Sequence, residues 1–129
     1  LSRRLPHRSH PATSLMLLAA LATVVIASCH DGDTCTTTTG ERVRLACIDT
    51  PELVGKRAEP VSAKAARDHL RGLVVGKKAG IRRITKDRYG RTVAELFIGK
   101  MNIQEEMVAT ANAEIYWRYA YQCPWTEGQ

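Results

Sequence analysis

Carboxylate and guanidinium side chains of this chain are of the types that cleave phosphate esters. They gather in three short segments, residues 31–34, 44–52 and 87–91. Asp33 and Asp49 offer the oxygens that a hard cation such as calcium prefers, and Glu52 can take a proton from water. Arg44 and Arg91 can each bind phosphate oxygens through two N–H groups. Together these residues predict metal-assisted hydrolysis of a phosphodiester bond.

The segments differ in specificity when each is taken alone. Residues 31–34 contain an Asp-Gly pair, which is common in hairpin turns. They do not begin an EF-hand loop, because Cys35 and Arg42 occupy positions where that loop needs acidic ligands. The second segment is more specific, since Asp49 directly follows a predicted strand and the Thr50 carbonyl can add an oxygen ligand. Residues 87–91 equally suit an ordinary turn, although Gly90 permits a backbone that returns Arg91 over the sheet.

In this order, the three segments resemble the staphylococcal nuclease family, over about residues 24–119. The resemblance implies an OB-fold and an endonuclease that breaks the 5′ P–O bond of DNA and RNA, preferably single-stranded, and leaves 3′-phosphates. It implies calcium as cofactor, with the ligands Asp33, Asp49 and Thr50. It assigns catalysis to Arg44, Glu52 and Arg91. It assigns substrate contacts to Arg88, Tyr89, Trp117 and Tyr119.

The aromatic run at 116–121 has two interpretations. It can wedge the C-terminal segment against the domain, or Trp117 and Tyr119 can stack on nucleotide bases, because such stacking tolerates any base. The residues alone leave both open.

The elements that must position these groups follow from the hydrophobic pattern. Strands are predicted from Thr23 to the turn at Asp31, at 35–38 and at 41–48, and the last alternates so that Arg44 faces away from the apolar side. A helix is predicted from Pro60 to Gly76. Its apolar stripe comprises Val61, Ala65, Ala66, Leu70, Leu73 and Val74.

Two more strands are predicted around Ile81 and Val93, on either side of the turn at 87–90. A second helix is predicted over 103–111, followed by Asn112 in the left-handed conformation. This order predicts an α+β fold, mainly β, with a five-stranded OB-type Greek-key barrel and two to three helices. The family's usual last helix is expected to be missing.

The N-terminal residues have the character of a secretory signal. Three arginines without any acid precede the apolar run 15–22, which is too short to span a membrane. We expect a signal peptide at 1–22, a nuclease domain at 23–129, and a secreted or periplasmic monomer. A competing lipoprotein site would remove residues up to 28 and anchor the chain through Cys29, at the expense of a predicted strand. The net charge of +6 falls to +3 over residues 30–129, which suits a polyanionic partner without requiring one.

Four cysteines in an exported chain predict disulfides, and three pairings are possible. Cys29 and Cys35 flank the turn at Asp31 and so can face each other across a hairpin, leaving Cys47 for Cys123. A zinc site lacks the usual ligand spacing. Reduced, buried thiols are a further alternative.

The residues and the family resemblance together favour a calcium-dependent endonuclease. The rival hypotheses are a catalytically inactive OB-fold module that binds single strands, and a disulfide-linked structural domain without a nucleic-acid ligand. The complete set of acidic and arginine residues favours the enzyme.

Overall fold

Five strands close into a barrel in a computed structural model that describes residues 21–129. The strands are β1 Ala22–Asp31, β2 Thr34–Thr37, β3 Arg42–Leu45, β4 Ile48–Asp49, β5 Lys78–Lys86, β6 Thr92–Ile98, β7 Met101–Asn102 and β8 Glu114–Ile115. The helices are α1 Pro60–Val74, α2 Ile103–Ala109 and two 3-10 helices, Trp117–Gln122 and Pro124–Thr126.

The barrel runs β3-β2-β1-β5-β6 with antiparallel neighbours, and it closes where β3 pairs with β6 in parallel. Val43 lies opposite Thr92 and Leu45 opposite Ala94 in that last pair. Closure leaves β3 and β6 with partners on both sides. The predicted α+β OB-type fold is therefore confirmed, and β4 pairs with β8 as a separate two-stranded sheet.

The predicted continuous strand 41–48 is wrong, because it breaks between β3 and β4. Cys47 has a φ of 68°, which no strand residue adopts. Its carbonyl accepts a hydrogen bond from the Tyr116 amide at 2.8 Å, while the Ala46 amide donates to Ala94. The chain therefore leaves the barrel at this point and carries Asp49 onto β8.

Helix α1 begins at Pro60 as predicted, but part of its predicted apolar stripe is wrong. Its buried residues are Ala63, Ala66, Leu70 and Val74, whereas Ala65 is exposed and the Val61 side chain is 85% exposed. Small residues decide the contact, because a Cβ on Gly32 would come within 2.9 Å of the Ala66 Cβ. The helix thus packs directly against the β1–β2 turn.

Helix α2 begins with an Asn102 side chain that accepts a hydrogen bond from the Glu105 amide, and it ends at Ala109 rather than at 111. The left-handed residue after it is Ala111, with a φ of 60°, and not Asn112 as predicted. Asn112 instead donates its side-chain amide to the Thr110 hydroxyl.

The four cysteines form the disulfides Cys29–Cys35 and Cys47–Cys123, which rules out the zinc and free-thiol alternatives. The first joins cross-strand partners of β1 and β2 beside the turn at Asp31. The second ties the start of β4 to the C-terminal segment. Each disulfide therefore braces a segment that carries a predicted site residue.

The predicted signal peptide at 1–22 lies outside the described residues, except for Leu21 and Ala22. Ala22 is already the first residue of β1. Between residues 21 and 129, no helix has the length and apolarity needed to cross a membrane.

Candidate active site

Asp33 lies in the tight turn between β1 and β2, almost fully buried. The Asp31 carboxylate accepts a hydrogen bond from the Asp33 amide at 3.1 Å, which is the Asx-turn geometry that an Asp-Gly pair favours. Gly32 leaves room for Ala66 and Thr50 behind this turn. The local sequence thus holds the Asp33 carboxylate at the base of the site.

The Asp33 carboxylate accepts two hydroxyl hydrogen bonds, from Thr34 at 3.2 Å and from Thr50 at 3.0 Å. Arg44 Nη2 is 3.6 Å from the same carboxylate. Burial nevertheless raises the pKa of Asp33 to about 6, because desolvation outweighs the attraction of Arg44. Burial of this carboxylate, with Asp31 nearby, therefore opposes its ionised form more strongly than Arg44 favours it.

Arg44 projects from β3 on the side opposite the buried Val43 and Leu45. Its Nη2 is 3.6 Å from Asp33 and 3.8 Å from Asp49, whose side chain is 63% exposed. One guanidinium therefore contacts both carboxylates, which brings the two predicted cation ligands to the same side of the barrel.

The oxygen donors around Asp33 suit a hard cation, but they make up only part of its coordination shell. The Asp33 and Asp49 carboxylates and the nearby Thr50 supply oxygen donors of the kind that calcium prefers. Within residues 21–129, no three His, Cys, Asp or Glu side chains converge as a metal cluster. Backbone carbonyl oxygens and water would therefore have to complete the coordination of a calcium ion.

Arg91, at the start of β6, is held at both ends of its guanidinium. Its Nε donates to Asp87 at 2.7 Å, and its Nη1 donates to the Thr34 hydroxyl at 3.2 Å. Thr34 in turn donates to Asp33. A continuous hydrogen-bonded path thus links Arg91 to Asp33 through Thr34, a residue that sequence reasoning missed.

Asp87 organises the β5–β6 turn that carries Arg88 and Tyr89. Its carboxylate accepts the Tyr89 and Arg91 amides, each at 2.9 Å, and Gly90 has a φ of 81°. Burial acts to raise the pKa of Asp87, but the hydrogen bonds from Arg91 and Tyr89 lower it overall. Tyr89 is exposed, with the Arg88 guanidinium 5.0 Å from its ring centroid.

An open cavity of about 600 Å³ lies beside these groups, and both Arg44 and Arg91 line it. The C-terminal segment adds Tyr116, Arg118 and Tyr119 to its lining. The rings of Tyr116 and Tyr119 meet edge to face, with centroids 5.0 Å apart. Arg88 and Tyr89 also line the cavity, whereas Trp117, which is 63% exposed, is not among its lining residues.

Glu52 lies in the loop that follows β4, with an exposed side chain. Its carbonyl accepts the Glu59 amide at 2.9 Å, which closes the loop ahead of α1. The structure brings Asp33, Arg44 and Asp49 together and links Arg91 to them, but it places Glu52 outside this ion-paired group.

The barrel and its site define the chain as an α+β domain of the OB type. Comparison with known proteins agrees: the model of the family described as "Staphylococcal nuclease homologue" matches residues 42–126. The chain belongs to this family. The match begins at β3, so Asp33 and the first two strands precede it.

Three similar proteins extend the comparison. An uncharacterized endonuclease of Haemophilus influenzae is 36% identical over 103 residues, covering 77% of this chain and 55% of that protein. The probable endonuclease LCL3 of Komagataella phaffii is 35% identical over 80 residues, covering 57% and 35%. An uncharacterized 38.1 kDa protein of Capnoides sempervirens is 36% identical over 78 residues, covering 60% and 22%. The chain spans about half or less of the length of these relatives.

Proposed function

We propose that this protein is a calcium-dependent endonuclease that hydrolyses phosphodiester bonds of DNA and RNA, preferably single-stranded, by breaking the 5′ P–O bond to leave 3′-phosphates. One observation carries the proposal: Arg44 and Arg91 line the same cavity, and Arg44 also contacts Asp33 and Asp49. Family membership and the names of two relatives, each called an endonuclease, support the same class of reaction.

The two arginines suit a phosphate whose negative charge rises in the transition state. Each is held by carboxylates before any substrate arrives, Arg44 by Asp33 and Asp49, and Arg91 by Asp87. Positive charge that is already oriented costs no reorganisation during the reaction. Loss of either guanidinium should therefore raise the barrier by about 3 kcal/mol or more.

Glu52 is the proposed acceptor of the proton from the attacking water, and its exposed loop gives water free access to the carboxylate. Asp33, Asp49 and the Thr50 carbonyl would hold the calcium ion. When bound, the ion supplies positive charge that stabilises the five-coordinate phosphorus of the transition state.

We further propose that the protein is exported, to the periplasm or outside the cell, and acts as a monomer. The two disulfides suit an oxidising compartment. The lipoprotein alternative is disfavoured, because cleavage before Cys29 would remove most of β1 and leave barrel partners unpaired.

Incubation of the purified protein with a single-stranded oligonucleotide, with calcium or with a chelator, tests the function. We expect cleavage only when calcium is present, and products whose 3′-phosphates a 3′-specific phosphatase converts to 3′-hydroxyls. Arg91→Lys, which keeps the charge but not the paired N–H groups, should cut far more slowly. Binding without cleavage in the parent would favour the inactive OB-fold module instead.

A further inference from the structure

Cationic side chains around the cavity fall into two groups. Arg44 and Arg91 are ion-paired with carboxylates. Three further cations, Lys86, Arg88 and Arg118, also line the cavity. Their side-chain nitrogens have no carboxylate oxygen within 4.0 Å. Every Asp and Glu of the chain lies within the described residues 21–129.

The three unpaired cations come from separate parts of the fold. Lys86 ends β5 and Arg88 follows in the turn, whereas Arg118 belongs to the 3-10 helix Trp117–Gln122. Arg88 donates a hydrogen bond to the Tyr89 hydroxyl at 2.8 Å, and the Arg118 guanidinium lies 5.5 Å from the Tyr119 ring centroid. Positive charge from two elements thus lines the same cavity as Arg44 and Arg91.

Lys86 has one weak electrostatic interaction outside the cavity. Hydrogen bonds from Arg83 lower the pKa of Glu41 to about 2, and Lys86 makes a smaller contribution from a distance. Both Glu41 oxygens already accept from Arg83, at 2.7 and 2.8 Å. Lys86 and Arg118 are exposed and form no ion pair, so replacing either should change the stability of the fold little.

We propose that Lys86 and Arg118 bind the phosphates on either side of the one held by Arg44 and Arg91, so that the site selects an oligonucleotide over a substrate with a single phosphodiester. The inference rests on the proposed function and extends it to substrate length. A polyanion with regularly spaced charges can reach unpaired cations from two elements of one cavity, whereas a mononucleotide cannot reach both.

The test compares Lys86→Ala and Arg118→Ala with the control variants Lys64→Ala and Lys100→Ala, whose exposed lysines lie on α1 and on the turn before β7. Binding to a single-stranded DNA of about ten nucleotides is measured by fluorescence anisotropy over a salt series, on a Glu52→Gln background with a chelator present. Each cavity variant should weaken binding about three- to tenfold at low salt and reduce the slope of log K against log salt by about 0.7. The controls should leave that slope unchanged.

A second measurement compares kcat/KM for the same oligonucleotide and for a dinucleoside monophosphate, without the Glu52 change. The ratio of the two values should fall about three- to tenfold in each cavity variant. The inference would be overturned if the salt slope stayed unchanged in the cavity variants or if the control variants lost as much affinity. It would also be overturned if kcat/KM fell equally on both substrates. If the parent cuts neither substrate, the proposed function fails, and the binding series still decides whether Lys86 and Arg118 contact phosphates.

Discussion

Replacing Asp33 by asparagine tests how burial and charge are balanced at the base of the site. In the absence of calcium, burial raises the pKa of Asp33 from 3.8 to about 6. A raised pKa means that the folded state holds the proton more tightly than the unfolded state does. The resulting stabilisation is complete below about pH 4 and is lost as pH rises through about 6.

The magnitude follows from that shift. About two pKa units correspond to about 3 kcal/mol by which ionised Asp33 destabilises the folded protein at pH 7. Asparagine has nearly the same shape, can still accept the Thr34 hydrogen bond, and is neutral at every pH. In chelator at pH 7, Asp33→Asn should therefore unfold with a free energy about 1–3 kcal/mol larger than the parent, and near pH 4 the two should agree closely.

Urea denaturation at several pH values measures this difference directly. Asp68→Asn, at an exposed position of α1, is the matched control and should show no pH-dependent gain. Calcium should then reverse the order, because it stabilises the parent by binding and should leave Asp33→Asn unaffected. A variant that is destabilised equally at pH 4 and pH 7 would refute the view that desolvation dominates at Asp33.

Three further predictions concern the reaction and the C-terminal segment. Glu52→Gln should bind an oligonucleotide as the parent does but cleave it at least about a hundredfold more slowly in single-turnover assays; parental speed would remove Glu52 from the mechanism. Arg82→Met should lower the free energy of unfolding by about 2 kcal/mol or more, because it leaves the buried Glu95 without its cation; a loss under about 0.5 kcal/mol would contradict this. Replacing Cys47 and Cys123 by serine should cost about 4 kcal/mol in urea denaturation, given a sequence separation of 76, and a negligible loss would argue against the pairing.

Local signals explain why the order of strands could be predicted. The β5–β6 hairpin follows from Asp87 and Gly90, whose side chain and backbone specify the turn without help from distant residues. The position of Arg44 on the polar side of β3 follows in the same way from strict alternation with Val43 and Leu45.

Long-range contacts explain what could not be predicted. The break after β3 depends on Cys47, whose backbone meets Tyr116 and whose sulfur meets Cys123. Helix α1 turns Ala63 rather than Val61 toward the barrel, although hydropathy alone favours valine. Thr34 links Arg91 to Asp33 only because β2 and β6 both pair with β3 when the barrel closes, and no feature of a lone threonine predicts that role.

The C-terminal segment lines the cavity beside Arg44 and Arg91 as well as packing against the barrel. Arg82 donates to Glu95 and to the Gln122 carbonyl, at 2.9 and 2.7 Å, and so ties this segment to β5 and β6. The segment supplies Tyr119 and Arg118 to the cavity but makes no contact in the hydrogen-bonded group around Asp33 among the described residues. The Cys47–Cys123 disulfide still holds the segment beside β4 when Arg82 is replaced, so Arg82→Met loosens the segment without detaching it. We therefore expect Arg82→Met to weaken oligonucleotide binding more than it weakens the calcium response, because Tyr119 and Arg118 lose a support that Asp33 and Arg44 do not share.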